Sequence, residues 1–143
     1  MVEHIISDIQ DELEWMQEIT VIDAVLLFGS RTDGTATEKS DYDLCIIAPS
    51  LSSAAERAEL LGTIWKQLNA GKYDVWIFEE LPLYLQMHVI QHHEVLFCND
   101  LPELFEYFYQ FRKQWRSQEY RQSLSFEVDI DPMKLKEIWR TEP

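Results

Sequence analysis

The chain has 143 residues, which at roughly 150 residues per domain predicts a single domain. Hydrophobic residues make up 46% and aromatic residues 13% of the chain, enough for a packed core, while four Gly and five Pro exclude a low-complexity or fibrous protein. The net charge of −14 at pH 7 argues against a nucleic-acid-binding surface, because a strongly negative field repels phosphate backbones.

The negative charge is concentrated in the first part of the chain. Residues 1–111 contain five basic and twenty acidic side chains, a net charge of −15, whereas residues 112–143 contain seven basic and six acidic ones. This imbalance favours a basic protein partner over a nucleic acid. The alternative is an acidic protein whose charge serves solubility and no particular partner.

Cysteine usage and the N-terminal stretch indicate the compartment. Cys45 stands in an apolar run typical of a buried strand and Cys98 is the second cysteine, so no disulfide framework is predicted. The N-terminal stretch is acidic and amphipathic rather than basic and then apolar, and no apolar run approaches the ~18 residues of a membrane span. We therefore expect a cytoplasmic protein that does not contact a membrane.

Hydrophobic periodicity predicts eight elements in the order αββαβαβα. The predicted helices run from Ile5 to Ile19, from a cap at about Ser53 to a stop at Gly71, from Leu83 to His93, and from a cap at Asp100 to about Arg121. The predicted strands are Val21–Phe28, Asp43–Ala48, Tyr73–Phe78 and Glu94–Cys98. Helices that cover one face of such a sheet give an α/β or α+β fold.

Gly29 and Ser30 directly follow the first predicted strand. Glycine permits a turn with positive φ and has no Cβ, so a triphosphate can approach the main-chain N–H groups, and the Ser30 hydroxyl adds a donor to phosphate oxygen. Arg31 is a further candidate for a phosphate or partner contact, and an exposed arginine without a role is the alternative. A Gly-Ser pair alone is often only a turn.

Asp41 and Asp43 come ten residues after the Gly-Ser pair. On a strand, residues at i and i+2 lie on one face with their Cα atoms about 7 Å apart. Two carboxylates this close repel each other unless a cation lies between them, which predicts a site for Mg²⁺ once a nucleotide supplies phosphate oxygens. Two-metal phosphoryl transfer needs one more oxygen ligand from a neighbouring strand, for which Asp74 is the candidate. Taken alone, Asp-x-Asp is often a solvent-exposed strand end.

Other polar residues predict less. His88, His92 and His93 lack the partnered Cys or the third ligand at fixed spacing that a His-based metal site requires. Glu79 and Glu80 are interpreted as a solvent-exposed strand end.

The segment FGSRTDGTATEKSDYDLCI, with the pattern GS-x10-D-x-D, resembles the nucleotidyltransferase superfamily related to polymerase beta. Gly34 matches the glycine that commonly follows Gly-Ser by four residues, and YDVWIF holds the expected third acid, Asp74. The short length and the EVLF segment before a long helix are similar to the minimal nucleotidyltransferases, the MNT antitoxins encoded beside HEPN-domain toxins. The resemblance covers residues 1 to about 121.

The resemblance implies a nucleotidyltransferase fold, in which a mixed β-sheet of about four strands is flanked by helices. It implies ATP as substrate, Mg²⁺ as cofactor with two ions, and transfer of AMP to a tyrosine of a partner HEPN ribonuclease, which silences that toxin. The implied site consists of Gly29, Ser30 and Arg31 for the triphosphate and of Asp41, Asp43 and Asp74 for the metals and catalysis, with Asp74 nearest the attacking hydroxyl.

Residues 1–121 are thus expected to form a minimal nucleotidyltransferase domain that assembles with its partner, and residues 122–143 a C-terminal tail with one short helix after Asp131-Pro132. The chain departs from the family in two places. His92-His93 stand where the family often has Gly before the fourth strand, and the tail matches no family pattern.

Two other functions fit parts of the sequence. One is an acidic binding module that masks a basic partner without catalysis. The other is a nucleotidyltransferase that modifies a small molecule such as an aminoglycoside, for which the chain lacks the second domain that larger relatives have. The Gly-Ser pair and the three acids favour the protein-modifying enzyme, because masking alone requires none of them.

Overall fold

The computed structural model describes residues 2–29 and 42–125, which form four α-helices, four β-strands and two short 3-10 helices. The helices are α1 (Val2–Glu12), α2 (Ala54–Trp65), α3 (Leu83–Gln91) and α4 (Leu101–Ser125). The strands are β1 (Ala24–Phe28), β2 (Tyr42–Ile47), β3 (Tyr73–Ile77) and β4 (His93–Cys98), and the 3-10 helices span Glu14–Glu18 and Phe78–Glu80. The predicted order of helices and strands is confirmed.

The four strands form one mixed sheet in the order β3-β2-β1-β4. Strand β1 is antiparallel to both of its neighbours, whereas β2 and β3 are parallel. Parallel strands need a crossover connection, and α2 provides it between β2 and β3. The predicted α/β fold with a mixed four-stranded sheet is therefore confirmed.

Helices cover both faces of the sheet, which corrects the expectation of one covered face. Side chains alternate along β1, so Val25 and Leu27 belong to a first core with α1 and α2, while Leu26 and Phe28 belong to a second core with α3 and α4. The continuous apolar run of β1 is typical of a strand that is buried on both faces. In the structure all five of its residues are buried.

Three helices end earlier than predicted: α3 stops at Gln91 rather than His93, and the first two stop further from their predicted ends. The first stops at Glu12 and continues through Leu13 as a 3-10 helix, in which the N–H of Met16 donates to the carbonyl of Leu13 at 2.9 Å. This tighter turn buries Met16 completely. Helix α2 begins as predicted, with the Ser53 hydroxyl accepting from the backbone of its first turn, but it ends at Trp65 rather than near Gly71. Local periodicity continued past both ends because apolar residues also line the turns that follow.

The longest helix, α4, starts as the sequence predicts, because the Asp100 carboxylate accepts from the N–H of Glu103 at 3.1 Å. It runs to Ser125, four residues past the predicted end at Arg121. The short helix predicted after Asp131 lies outside the described residues. None of the helices in the described ranges is long and apolar enough to cross a membrane.

Glu79 corrects a further sequence interpretation, since it is not a solvent-exposed strand end. Its carboxylate accepts from the backbone N–H of Ala48 at 2.9 Å and from the hydroxyl of Tyr107 at 2.8 Å, which ties the end of β2 to α4. Burial raises the pKa of Glu79 above its usual range, although both hydrogen bonds oppose the rise. Its neighbour Glu80 is exposed and lies 3.5 Å from Nε of Arg57.

Candidate active site

Gly29 directly follows β1 and has the positive φ that the sequence predicted. Its φ is 91°, a value that side-chain-bearing residues rarely adopt, and it is the glycine with positive φ in the described part of the chain. The residue is buried at the end of the central strand. A side chain here would strain the backbone, so the position fits a turn at which a ligand approaches the main chain.

The register of the sheet aligns two of the predicted acids with Phe28, the residue before Gly29. Phe28 pairs with Asp43 across β1 and β2, and Asp43 pairs with Asp74 across β2 and β3. Paired Cα atoms of neighbouring strands are about 4.8 Å apart. Gly29, Asp43 and Asp74 therefore lie at one end of the sheet, which we name the acidic edge.

Asp43 and Asp74 point to the same side of the sheet. Leu44 and Val75, their neighbours in sequence, face the first core, so the two acids face the side of the second core. Asp43 is only 5% exposed. Two ionised carboxylates at paired positions of neighbouring strands repel each other. A cation between them would replace this repulsion with attraction.

The donors present fit a hard divalent cation, because carboxylate oxygens are the ligands that Mg²⁺ accepts in proteins. Within residues 2–29 and 42–125, no group of three or more His, Cys, Asp or Glu side chains is arranged to hold a metal ion. Asp41, the remaining predicted ligand, lies outside these ranges, as do Ser30, Arg31 and Gly34. Of the six predicted site residues, the structure thus describes Gly29, Asp43 and Asp74 and places them together.

Behind the two acids, on the opposite face, lies a polar group that sequence reasoning missed. The Tyr73 hydroxyl donates to the carboxylate of Glu12 at the end of α1, and Nζ of Lys72 lies 2.7 Å from the same oxygen. The Tyr73 ring packs against that of Tyr42, with 5.9 Å between the ring centroids. We name Glu12, Tyr42, Lys72 and Tyr73 the reverse-face cluster. Its only sequence signal is that a tyrosine precedes both Asp43 and Asp74.

Charge in this cluster is fixed by its contacts. The hydrogen bond from Lys72, followed by that from Tyr73, lowers the pKa of Glu12, so the carboxylate stays ionised at neutral pH. Burial and the bond to Glu12 raise the pKa of Tyr73, which therefore keeps its proton and remains a donor.

The histidines that replace the family's glycine lie at the same end of the sheet, because His93 pairs with Phe28. His93 has a packing role. Its Nδ1 lies 2.8 Å from the carbonyl oxygen of Val89, and its ring meets that of Phe108 edge to face with 5.6 Å between centroids. The rings of His88 and His92, one helical turn apart, have centroids 5.0 Å apart.

A cavity of about 220 Å³ opens at the other end of the sheet, where β1 begins and β2 ends. Asp23, Ile47, Asp100 and Tyr107 are among its lining residues. None of the predicted site residues lines it, so the acidic edge and not this cavity is the candidate active site.

Comparison with known proteins identifies the family of this chain. Residues 9–101 match the family described as Polymerase beta, Nucleotidyltransferase. A relative from Methanocaldococcus jannaschii, provisionally named a protein adenylyltransferase, is 42% identical over 97 residues, which are 68% of this chain and 72% of the relative.

Solved structures share the fold. A chain in a crystal structure of a toxin-antitoxin with AMP-PNP superposes with a TM-score of 0.62 at 18% identity, covering 83% of this chain and 93% of that one. A chain in the complex of a tri-AMPylated Shewanella oneidensis HEPN toxin with an MNT antitoxin gives 0.57 at 17% identity, covering 87% and 94%. The family match, the identity to the relative and the shared fold together establish that this chain belongs to the polymerase beta family of nucleotidyltransferases.

Proposed function

We propose that this protein is a Mg²⁺-dependent nucleotidyltransferase that acts as an antitoxin, transferring AMP from ATP to a tyrosine of a partner HEPN ribonuclease and thereby neutralising it. The observation that carries the proposal is the placement of Gly29, with its positive φ, beside the paired carboxylates of Asp43 and Asp74. The name of the archaeal relative and the descriptions of the toxin-antitoxin structures support a protein acceptor of this kind.

In this proposal each site residue has a distinct task. Gly29, Ser30 and Arg31 bind the triphosphate, while Asp41, Asp43 and Asp74 hold the Mg²⁺ ions. Bound Mg²⁺ supplies positive charge that stabilises the triphosphate and the negative charge of the transition state. The acidic edge itself repels a triphosphate, so nucleotide binding without the cation should be weak.

The chemical step is a displacement at the α-phosphorus of ATP. The tyrosine oxygen forms the new P–O bond, the bond to the β-phosphate breaks, and pyrophosphate leaves. A tyrosine hydroxyl has a pKa of about 10 and is a poor nucleophile at neutral pH, so its proton must be accepted during the attack. Asp74, on the outer strand of the acidic edge, is the candidate acceptor of that proton.

A masking module is the second candidate, and the acid pair separates it from the enzyme. Masking a basic partner requires negative charge on the surface, whereas the side chain of Asp43 is buried and only 5% exposed. A carboxylate buried next to another carboxylate suits a bound cation, which attracts both. The geometry therefore favours catalysis over masking and gives no support for a small-molecule acceptor.

The test is transfer from α-labelled ATP to a purified HEPN partner with and without Mg²⁺, followed by the partner's ribonuclease activity. We expect labelled partner, a mass increase of one or more AMP units on a tyrosine peptide, and loss of ribonuclease activity. An aminoglycoside in place of the partner should remain unlabelled. Neutralisation of the ribonuclease without any label would establish the masking module instead.

A further inference from the structure

Strand β3 carries Asp74 near its first residue and lies at the outside of the sheet, with β2 as its one neighbour in the strand order. The ends of edge strands open most easily, because few backbone hydrogen bonds hold them. At this end the N–H of Tyr42 donates to the carbonyl of Lys72 at 2.9 Å, directly before the first residue of β3. The position of Asp74 relative to Asp43 therefore depends on what else anchors the start of β3.

Within the reverse-face cluster, Tyr73 and its contacts with Glu12 and Tyr42 provide that anchor. Tyr73, directly before Asp74, is 1% exposed and reaches from the sheet to Glu12 on α1, 61 residues away in sequence. Its ring also packs against Tyr42, the residue before Asp43. The two tyrosines thus pair on one face of the sheet, and the two acids that directly follow them in sequence pair on the other face.

We propose that the hydrogen bond between Glu12 and Tyr73 fixes the separation of the Asp43 and Asp74 carboxylates, so that Glu12 and Tyr73 are positioning residues for nucleotide transfer. The inference rests on the proposed function, since it assigns the cluster a role in that same site. Glu12 suits the task because its ionised carboxylate is a strong acceptor, and Tyr73 suits it because the buried side chain already donates its hydroxyl hydrogen to Glu12.

Tyr73→Phe is the central variant, because it keeps the ring between β3 and Tyr42 and removes only the hydroxyl. We expect kcat to fall by about tenfold or more and the Mg²⁺ concentration for half-maximal rate to rise, with KM for ATP changed less than about threefold. Glu12→Ala should match it. Glu12→Gln retains an acceptor oxygen for the tyrosine and should recover most of the rate.

Two controls separate positioning from general stability. Lys72→Met removes the ion pair to Glu12 and leaves the Tyr73 bond, so kcat should stay within about twofold of the wild type. Leu60→Ala weakens the first core on α2, away from the acids, and should lower the melting temperature at least as much as Tyr73→Phe without the change in Mg²⁺ dependence. If Leu60→Ala and Tyr73→Phe lose rate in proportion to their loss of stability, the proposal is overturned.

Hydrogen exchange gives a readout that does not need the acceptor. Amides at the start of β3 should exchange faster in Tyr73→Phe and Glu12→Ala than in the wild type, while those of β1 and β4 remain unchanged. Unchanged exchange at β3 would refute the anchor even if the rate falls. If the wild-type protein transfers no AMP and both variants still exchange faster at β3, the proposed function is refuted and the structural role of the anchor stands.

Discussion

Asp43 is the candidate ligand whose surroundings are described most fully. It is nearly buried and lies beside Asp74 across two parallel strands. Asp43→Asn keeps the volume and removes the charge, so we expect transfer to be abolished while the fold persists. The melting temperature should stay equal or rise, because one source of repulsion is gone. Labelled-ATP transfer and a melting curve on the same sample check both statements; near-wild-type labelling would remove Asp43 from the metal site.

Asp74→Asn should separate catalysis from binding. The triphosphate and its Mg²⁺ are expected to be held mainly by Gly29, Ser30 and the other two acids, so ATP affinity should change by no more than about tenfold, or ~1.4 kcal/mol. Transfer should fall by several orders of magnitude, because the tyrosine proton loses its acceptor. A binding titration beside a transfer assay measures the two effects. A variant that still modifies its partner at the wild-type rate would show that Asp74 is not the third acid.

At the residue scale, the sequence could predict the positive φ of Gly29 and the position of Asp43 and Asp74 on strands. Each has a local signal: a glycine at the end of an apolar run, or an acid in a short apolar segment. It could not predict the role of Glu12. The hydrogen bond to Tyr73 joins positions 61 residues apart and exists only once α1 packs on the sheet. Glu79 was misread for the same reason, since its partner Tyr107 comes 28 residues later.

At the scale of elements, strands were easier to predict than helix ends. The apolar run of β1 stops abruptly at Gly29, so the predicted end of this strand is right, although its predicted start lies three residues too early. The bounds of β2 are right to within one residue. Helix α2 was drawn too long because Leu68, buried beyond its end, continues the helical period through a turn. The parallel pairing of β2 with β3, which brings Asp43 and Asp74 together, has no local signal, because it depends on where α2 returns the chain.

Glu79 predicts a pH dependence of the contact between β2 and α4. Because its pKa is raised above the ordinary 4.5, its contribution to stability is complete below pH 4.5 and is lost as the pH rises through the raised value. Glu79→Gln removes this titration. The wild-type free energy of unfolding should therefore decline relative to that of the variant as the pH rises from 4.5 through the raised pKa.

Urea unfolding across that pH range measures the difference. Tyr107→Phe is the matched variant, since it removes a hydrogen bond that lowers the pKa of Glu79 and should move the decline to higher pH. Parallel pH profiles for the wild type and Glu79→Gln would contradict the assignment.

For the whole molecule, the dominant feature is the uneven charge. The body that carries the acidic edge holds the net −15 of residues 1–111, whereas exposed Arg112, Lys113 and Arg116 give the far half of α4 the opposite sign. Such a field speeds the encounter with a basic partner at low ionic strength. The Debye length shrinks from about 10 Å at 0.1 M salt to about 3 Å at 1 M, so the steering should be screened.

The last prediction is therefore kinetic: the association rate with the HEPN partner should fall by about tenfold or more between 0.05 and 0.5 M salt, with a smaller change in the dissociation rate. Stopped-flow or surface-based kinetics measure both. Asp8→Asn with Asp11→Asn, two exposed positions on α1, should slow association and flatten the salt dependence. Arg112→Gln with Lys113→Gln should speed it, because these side chains repel a basic surface. An association rate that ignores salt and both pairs of variants would mean that the charge serves solubility alone.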